Sequence, residues 1–150
     1  RWQSAVQIAP VQAAAGSTGT LFFFVDWDKL RPWHQVMTVT IDSYALLQAQ
    51  KLAQPTRSFR RILDLCSGSG VQGLHAAALG VSKGLHTSVS LVDLNPRALR
   101  FAKANIVLNS LRRVTLHAGS LYDALPQPCF DIACNSSAAQ FDLILANPPY

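Results

Sequence analysis

Arg61-Ile62-Leu63-Asp64-Leu65-Cys66-Ser67-Gly68-Ser69-Gly70-Val71-Gln72-Gly73 is the stretch from which the rest of the chain can be placed. Ile62, Leu63 and Leu65 form a short apolar run of the length of a buried strand. Gly68 and Gly70 permit a tight turn and close approach of backbone to a ligand. From Val71 to Leu79 the residues are good helix formers, with Gly80 as the expected stop. A strand, a glycine loop and a helix in that order aim backbone N–H groups at whatever lies beyond the strand.

Two kinds of ligand suit such a loop. Gly68 to Gly73 spell the dinucleotide fingerprint G-x-G-x-x-G, and Asp93 follows by the roughly 20 residues expected of a ribose-binding carboxylate. That reading implies NAD. Asp64-x-Cys66-x-Gly68-x-Gly70 also fits, with one substitution, the acidic loop D-x-G-x-G-x-G. A carboxylate there is awkward beside a pyrophosphate and suits a cationic ligand. With cysteine in place of the first glycine, an ordinary φ is expected at Cys66.

Short apolar strands alternate with helices downstream, which predicts a parallel sheet with right-handed crossovers. Val89, Leu91 and Val92 form the second core strand, ending in Asp93. Asn95 caps the next helix with Pro96 in its first turn, and Ala98, Leu99, Ala102 and Ile106 are its apolar face. Val114 to His117 is the third strand. Phe130-Asp131-Ile132-Ala133-Cys134-Asn135 echoes Phe141-Asp142-Leu143-Ile144-Leu145-Ala146-Asn147, and the second copy, followed by Pro-Pro-Tyr, is taken as the fourth strand. Ligands in such sheets sit at the carboxyl ends of strands, where Asp64, Asp93, Ser120 and Asn147 fall.

Residues 1 to 20 show little periodicity. Leu21 to Val25 and Gln35 to Thr40 are expected to pair as a hairpin through a turn containing Trp27 and Trp33, both read as packing residues. Asp42 or Ser43 is the expected cap of a helix to about Gln54, with Ala45, Leu46, Ala49, Leu52 and Ala53 facing the core. Residues 1–56 are thus an N-terminal extension of hairpin plus helix, and 57–150 the ligand-binding core.

Four pieces in order carry a resemblance: Ile62 to Gly70, Leu91 to Leu99, Gly119 to Asp123, and Phe141 to Tyr150 with its Asn147-Pro148-Pro149-Tyr150. Together they resemble the class I S-adenosylmethionine-dependent methyltransferases, more narrowly those with an N-P-P-Y motif that methylate planar nitrogens. The resemblance implies an α/β, Rossmann-like parallel sheet with helices on both faces, behind the small N-terminal hairpin and helix. The chain, opening at Arg1 and stopping at Tyr150 inside a motif, is expected to be a segment lacking the fold's C-terminal strands. S-adenosylmethionine is the implied cofactor. Its implied binding residues are Asp64, Cys66, Gly68, Gly70, Asp93, Leu94, Ser120 and Leu121, with Asp93 on the ribose hydroxyls, Asp64 near the amino acid part and Ser120 where the family often has an acid near the adenine amino group. Asn147, Pro148, Pro149 and Tyr150 are the implied catalytic residues. The implied substrate is a glutamine amide in a translation factor or ribosomal protein, or an exocyclic base amine in RNA or DNA.

Thirteen Lys and Arg against eight Asp give a net charge of +5, which leans toward an anionic partner. The basic groups cluster at Arg57, Arg60 and Arg61, and at Arg97, Arg100, Lys103, Arg112 and Arg113. Cys66, Cys129 and Cys134 have no C-x-x-C spacing, and His34, His75, His86 and His117 have no ligand spacing, so no metal is expected. Leu21 to Val25, the longest aromatic cluster, is far short of the roughly 20 apolar residues of a membrane span. A reducing compartment follows: the cytoplasm, or an organelle if a targeting segment has been removed. Two other functions remain open from sequence: an inactive methyltransferase-fold module binding RNA or a protein, and an NAD-dependent oxidoreductase.

Overall fold

The computed structural model describes residues 6–13, 19–26, 35–53, 58–125 and 141–148. In chain order the elements are β1 (Val6–Gln12), β2 (Thr20–Asp26), α1 (Ile41–Ala53), β3 (Arg61–Leu65), α2 (Val71–Ser82), β4 (Ser88–Asp93), α3 (Pro96–Leu108), β5 (Val114–Ala118), a 3-10 turn (Leu121–Ala124) and β6 (Leu143–Ala146). The last four strands form one parallel sheet in the order β5-β4-β3-β6. From β3 the chain steps outward through β4 to β5, and then β6 pairs on the opposite side of β3. That reversal leaves a crevice at the carboxyl ends of β3 and its neighbours, the usual ligand position in such sheets.

β3 is the central strand and is buried on both faces. Ile62 joins a cluster with Val89 and Leu91 of β4, Val71 and Leu74 of α2, Ala102 of α3 and Leu47 of α1. Leu63 and Leu65 point the other way, against Val92 and Leu125, with Phe141 packed beside them. Among the described residues the three helices therefore gather on one sheet face. Their two crossovers, β3 to β4 and β4 to β5, step in the same direction and so land on the same side. Val11, Leu21, Phe23 and Val25 of the hairpin belong to that first cluster, so the hairpin and the sheet share a core.

Several expectations are corrected. β2 pairs with β1 in antiparallel register, not with residues 35–40, which run as an extended segment. The backbone N–H of Val36 is taken by a side chain, the Asp26 carboxylate, rather than by a ladder. Helix α1 begins at Ile41 with Asp42 inside its first turn, and Ser43 reaches back toward Thr40. It buries Ser43, Leu47 and Gln50 rather than Ala45, Ala49 and Leu52, because its inward partners are polar groups of α2. Helix α2 does not stop at Gly80 but runs to Ser82. Gly80 serves packing instead: a Cβ there would lie 2.0 Å from Thr87 Oγ1. The Asn95 cap is as expected, its side chain accepting from Arg97 N–H at 2.9 Å. Trp27, Trp33, Arg57, Cys129, Cys134 and the echo at 130–135 lie outside the described residues. No helix among the described residues is long and apolar enough to cross a membrane.

Candidate functional site

A cleft of about 360 Å³ opens where the parallel strands end. Register places its parts side by side: Leu65 pairs with Val92 on one flank and Ala146 on the other, so Cys66, Asp93 and Asn147 emerge together. Cys66, Gly68, Asp93, Leu94, Ser120, Leu121 and Asn147 all line it. Asp64 and Gly70 do not, and lie beneath the loop. Pro148 is exposed and outside the lining. Pro149 and Tyr150 fall beyond the described residues.

The glycine loop is braced by two carboxylates. Asp93 Oδ2 accepts from Gly68 N–H at 2.7 Å, and its Oδ1 accepts from Asn95 N–H at 2.8 Å. Asp64, 1% exposed, accepts from Gly73 N–H at 2.8 Å through Oδ2, while its Oδ1 has no partner. Gly73 admits this contact because it lacks a Cβ, which would lie 3.0 Å from Asp64 Oδ2 and 2.5 Å from Leu91. Burial raises the Asp64 pKa to about 7 against the pull of the Gly73 bond, and the Asp93 charge adds to the rise.

Cys66 departs from expectation: its φ is +54°, the left-handed region, at a cost of about 1–2 kcal/mol for a residue with a Cβ. The turn needs that conformation so that Ser67 N–H can reach Val92 O at 3.0 Å, locking the loop to β4. Leu121, also lining the cleft, has φ +46°. Strained backbone of this kind gathers at ligand sites. Burial, then the Asp93 and Asp64 charges, push the Cys66 thiol pKa up, so it is a poor nucleophile there.

Among the described lining residues, the single charged group is Asp93. Among the described residues no Lys, Arg or His lines the cleft. The basic side chains are distributed elsewhere: Arg60, Arg61 and Arg113 stand at the amino ends of β3 and β5, a sheet's length from the cleft, and Arg100 and Lys103 lie on exposed α3 positions. Among the described residues no group of three or more His, Cys, Asp or Glu can hold a metal.

Sequence reasoning missed the wall facing the loop. Gln35 to Thr38, Ser43 and Gln72 close the cleft. Behind them Gln72 Nε2 donates to Ser43 O at 3.2 Å, Gln50 Nε2 donates to Gln72 Oε1 at 3.2 Å, and His75 Nδ1 meets Gln50 Oε1 at 2.8 Å. The available signal was Gln72 and His75, polar residues inside the otherwise largely apolar α2, with Gln50 of α1 their partner. His75 is fully buried, and burial, with the Lys51 charge adding, lowers its pKa to about 4, opposed by the backbone of Gln12 and Ala13.

These two buried groups oppose each other in pH dependence. Folding raises the Asp64 pKa, so between about pH 4 and 7 the folded chain holds a proton the unfolded chain has lost, and stability falls as pH rises through that window. Folding lowers the His75 pKa, so its effect is reversed: stability is lost as pH falls from 6.5 toward 4. Relative to the parent, Asp64→Asn is therefore expected to gain stability progressively from pH 4 to 7, and His75→Gln to gain it progressively as pH falls from 6.5. Urea unfolding at several pH values reads both slopes, and parallel curves would refute the assignment.

The profile of the methyltransferase small domain matches residues 37–150. The chain belongs to this family. It is 38% identical over 92 residues to the ribosomal protein uL3 glutamine methyltransferase of Bordetella pertussis, covering 60% of this chain and 26% of that protein. It is 32% identical over 106 residues to the release factor glutamine methyltransferase of Thermodesulfovibrio yellowstonii, covering 70% and 32%. A ribosomal RNA large subunit methyltransferase K/L from Shewanella sp. is 37% identical over 93 residues, covering 60% and 12%. The chain thus spans less than a third of these relatives' length. A Thermus thermophilus 16S rRNA N2 methyltransferase, solved with AdoMet and guanosine, superposes with a TM-score of 0.61 at 21% identity over 99% of this chain and 34% of that one, a likeness of fold.

As a methyltransferase small domain, the chain divides unevenly. The family match opens at Met37, inside the segment that closes the cleft, so the β1–β2 hairpin precedes it. Every cleft-lining residue from Met37 onward lies within the matched region.

Proposed function

We propose that this chain forms the cofactor-binding core of an S-adenosylmethionine-dependent N-methyltransferase acting on a planar nitrogen. The observation that carries this reading is the electrostatics of the cleft. A dinucleotide pyrophosphate needs cations or open N–H groups, yet the described lining offers Asp93 as its single charge. Two of the loop's N–H groups, those of Gly68 and Gly73, are already taken by carboxylates. A ligand bearing positive charge and no phosphate fits that environment, which disfavours NAD.

Bound there, S-adenosylmethionine supplies a methyl group on a sulfonium leaving group. The chain's own task is to hold donor and acceptor in line. Asp93 keeps lone pairs beyond its two backbone contacts and suits a pair of ribose hydroxyls. Leu94 and Leu121 offer apolar surface to the base, and Ser120 a hydroxyl near its edge. Asp64, braced under the loop with its pKa raised to about 7, adds negative potential from beneath only above that pH, where it is ionised. The side-chain oxygen of Asn147, with the carbonyl of the adjoining Pro148, would accept the acceptor's N–H bonds and favour pyramidalisation of its nitrogen.

The glutamine amide is the better supported substrate. Two relatives of 38% and 32% identity are named for it, and the described basic side chains do not line the cleft. An exocyclic amine of RNA is the second reading, favoured by the 37% identical rRNA relative.

Calorimetric titration tests the cofactor. S-adenosylmethionine is expected to bind and NAD not to. Asp93→Ala, losing two charge-assisted hydrogen bonds of about 1.5–3 kcal/mol each, is expected to weaken binding by at least about a hundredfold. NAD binding without the sulfonium ligand would overturn the reading in favour of an oxidoreductase.

A further inference from the structure

The hairpin has no part in the family match and no function assigned from sequence, yet it ends against the cleft. Asp26, the last residue of β2, is 3% exposed. Its Oδ2 accepts from the backbone N–H of Val36 at 2.8 Å and from Arg97 Nε at 3.2 Å, and its Oδ1 accepts from Arg97 Nη2. Arg97 stands in the first turn of α3, directly after the Asp93-Leu94-Asn95 wall, and its guanidinium lies 5.0 Å over the Phe101 ring. One strand over, Gln7 Nε2 donates to Thr38 Oγ1 at 2.7 Å and to Asp26 O at 3.4 Å. Val36 and Thr38 both line the cleft.

These contacts converge on one segment. Val36 and Thr38 belong to an extended segment, and side chains of the hairpin hold both. Asp26 is the joint: a single buried carboxylate ties the segment on one side to the α3 turn on the other, and so sets the separation of two cleft walls. A buried carboxylate bridging a backbone N–H and an arginine fork is directional and strong.

We infer that Asp26 is a positioning residue for the cofactor, acting through Val36, and that the β1–β2 hairpin is the clamp that holds the cleft's outer wall in its binding geometry. This inference rests on the proposed cofactor. A wall held in place only part of the time lowers apparent affinity by that fraction, so a wall in register one tenth of the time weakens binding about tenfold. The ion pair to Arg97 and the bond to Val36 are separable. Arg97→Lys keeps a cation beside Asp26 and leaves the Val36 bond intact, so it removes the guanidinium fork alone.

The experiment measures, on the same preparations, S-adenosylmethionine affinity by titration, amide hydrogen exchange of residues 35–38 without ligand, and melting temperature. Asp26→Ala is expected to weaken binding about tenfold and to speed exchange at Val36 selectively. Gln7→Leu, a milder change on an adjacent strand, is expected to do the same to a smaller degree at Thr38 and serves if Asp26→Ala fails to fold. Arg97→Lys is expected to lower the melting temperature and leave affinity within about twofold, since the wall is still held. Unchanged affinity in folded Asp26→Ala or Gln7→Leu, whatever the melting temperature, would overturn the inference. If the parent itself does not bind, the cofactor reading has failed and the positioning role with it, while slow parental exchange at Val36, lost in Asp26→Ala, would show that the clamp remains.

Discussion

Asn105→Ala is expected to destabilise the folded chain by about 3–5 kcal/mol, a loss larger than any other single polar truncation here. Asn105 is completely buried in α3. Its Oδ1 accepts from Phe24 N–H at 2.7 Å, and its Nδ2 donates to Phe24 O at 3.1 Å and to Ser69 O at 2.9 Å. One side chain thus performs for β2 what a neighbouring strand would, and holds the glycine loop with its remaining hydrogen. Asn109, one turn later, repeats the strand-like pair on Phe22 at 2.8 and 2.7 Å. Together they protect an edge that would otherwise expose unpaired backbone beside Phe22 and Phe24. Alanine strands three backbone groups, the buried carbonyl of Ser69 and the half-buried N–H and carbonyl of Phe24, each costing up to about 1–3 kcal/mol without a partner. Asn109→Ala leaves its backbone partners near solvent and is the internal control, expected to cost less. Chemical denaturation reads both, and a loss below about 1 kcal/mol for Asn105→Ala would mean that water substitutes for the amide.

That amide also explains where the sequence was readable and where it was not. The glycine loop, the Asp93 strand end and the Asn95-Pro96 cap were legible because each depends on chemistry local to a few residues: positive φ, a backbone donor, a missing N–H. The parallel pairing of the core strands followed from alternation. The partner of β2 was not legible, since Val6–Gln12, with Pro10 in its middle, is a poor strand in isolation and is chosen by what the other edge of β2 meets 80 residues later. The buried face of α1 was misread for a similar reason. Hydropathy favours Ala45, Ala49 and Leu52, but Ser43 and Gln50 turn inward because Gln72 and His75 supply matching hydrogen bonds. Cys66 was expected at ordinary φ from its side chain alone, whereas the bond from Ser67 to β4 imposes the left-handed turn. Of the candidate site, the sheet-borne residues were legible, and the wall carried by residues 35–38 was not, because nothing in its composition signals a tie to Asp26.

Asn147→Ala is expected, on the proposed N-methyltransferase activity, to lower kcat for methyl transfer by about 10²–10³-fold while leaving S-adenosylmethionine affinity within about twofold. The structure puts Asn147 just beyond β6, half-buried in the cleft and level with Cys66 and Asp93. A planar nitrogen is a weak nucleophile because its lone pair is delocalised, and attack on the methyl requires it to pyramidalise. As positive charge develops, its N–H bonds become stronger donors, so an oxygen placed to accept them stabilises the transition state more than the ground state. Removing that oxygen therefore falls on kcat rather than on donor binding. Asn147→Asp, which keeps an acceptor, is expected to retain more activity than alanine. Transfer of labelled methyl to a glutamine-bearing protein substrate and to RNA, read for the parent and both variants, separates the outcomes. Loss of turnover with intact cofactor binding supports a catalytic amide. Unchanged turnover assigns the acceptor's hydrogen bonds elsewhere, and a parent that binds cofactor and partner without transferring methyl is a binding module.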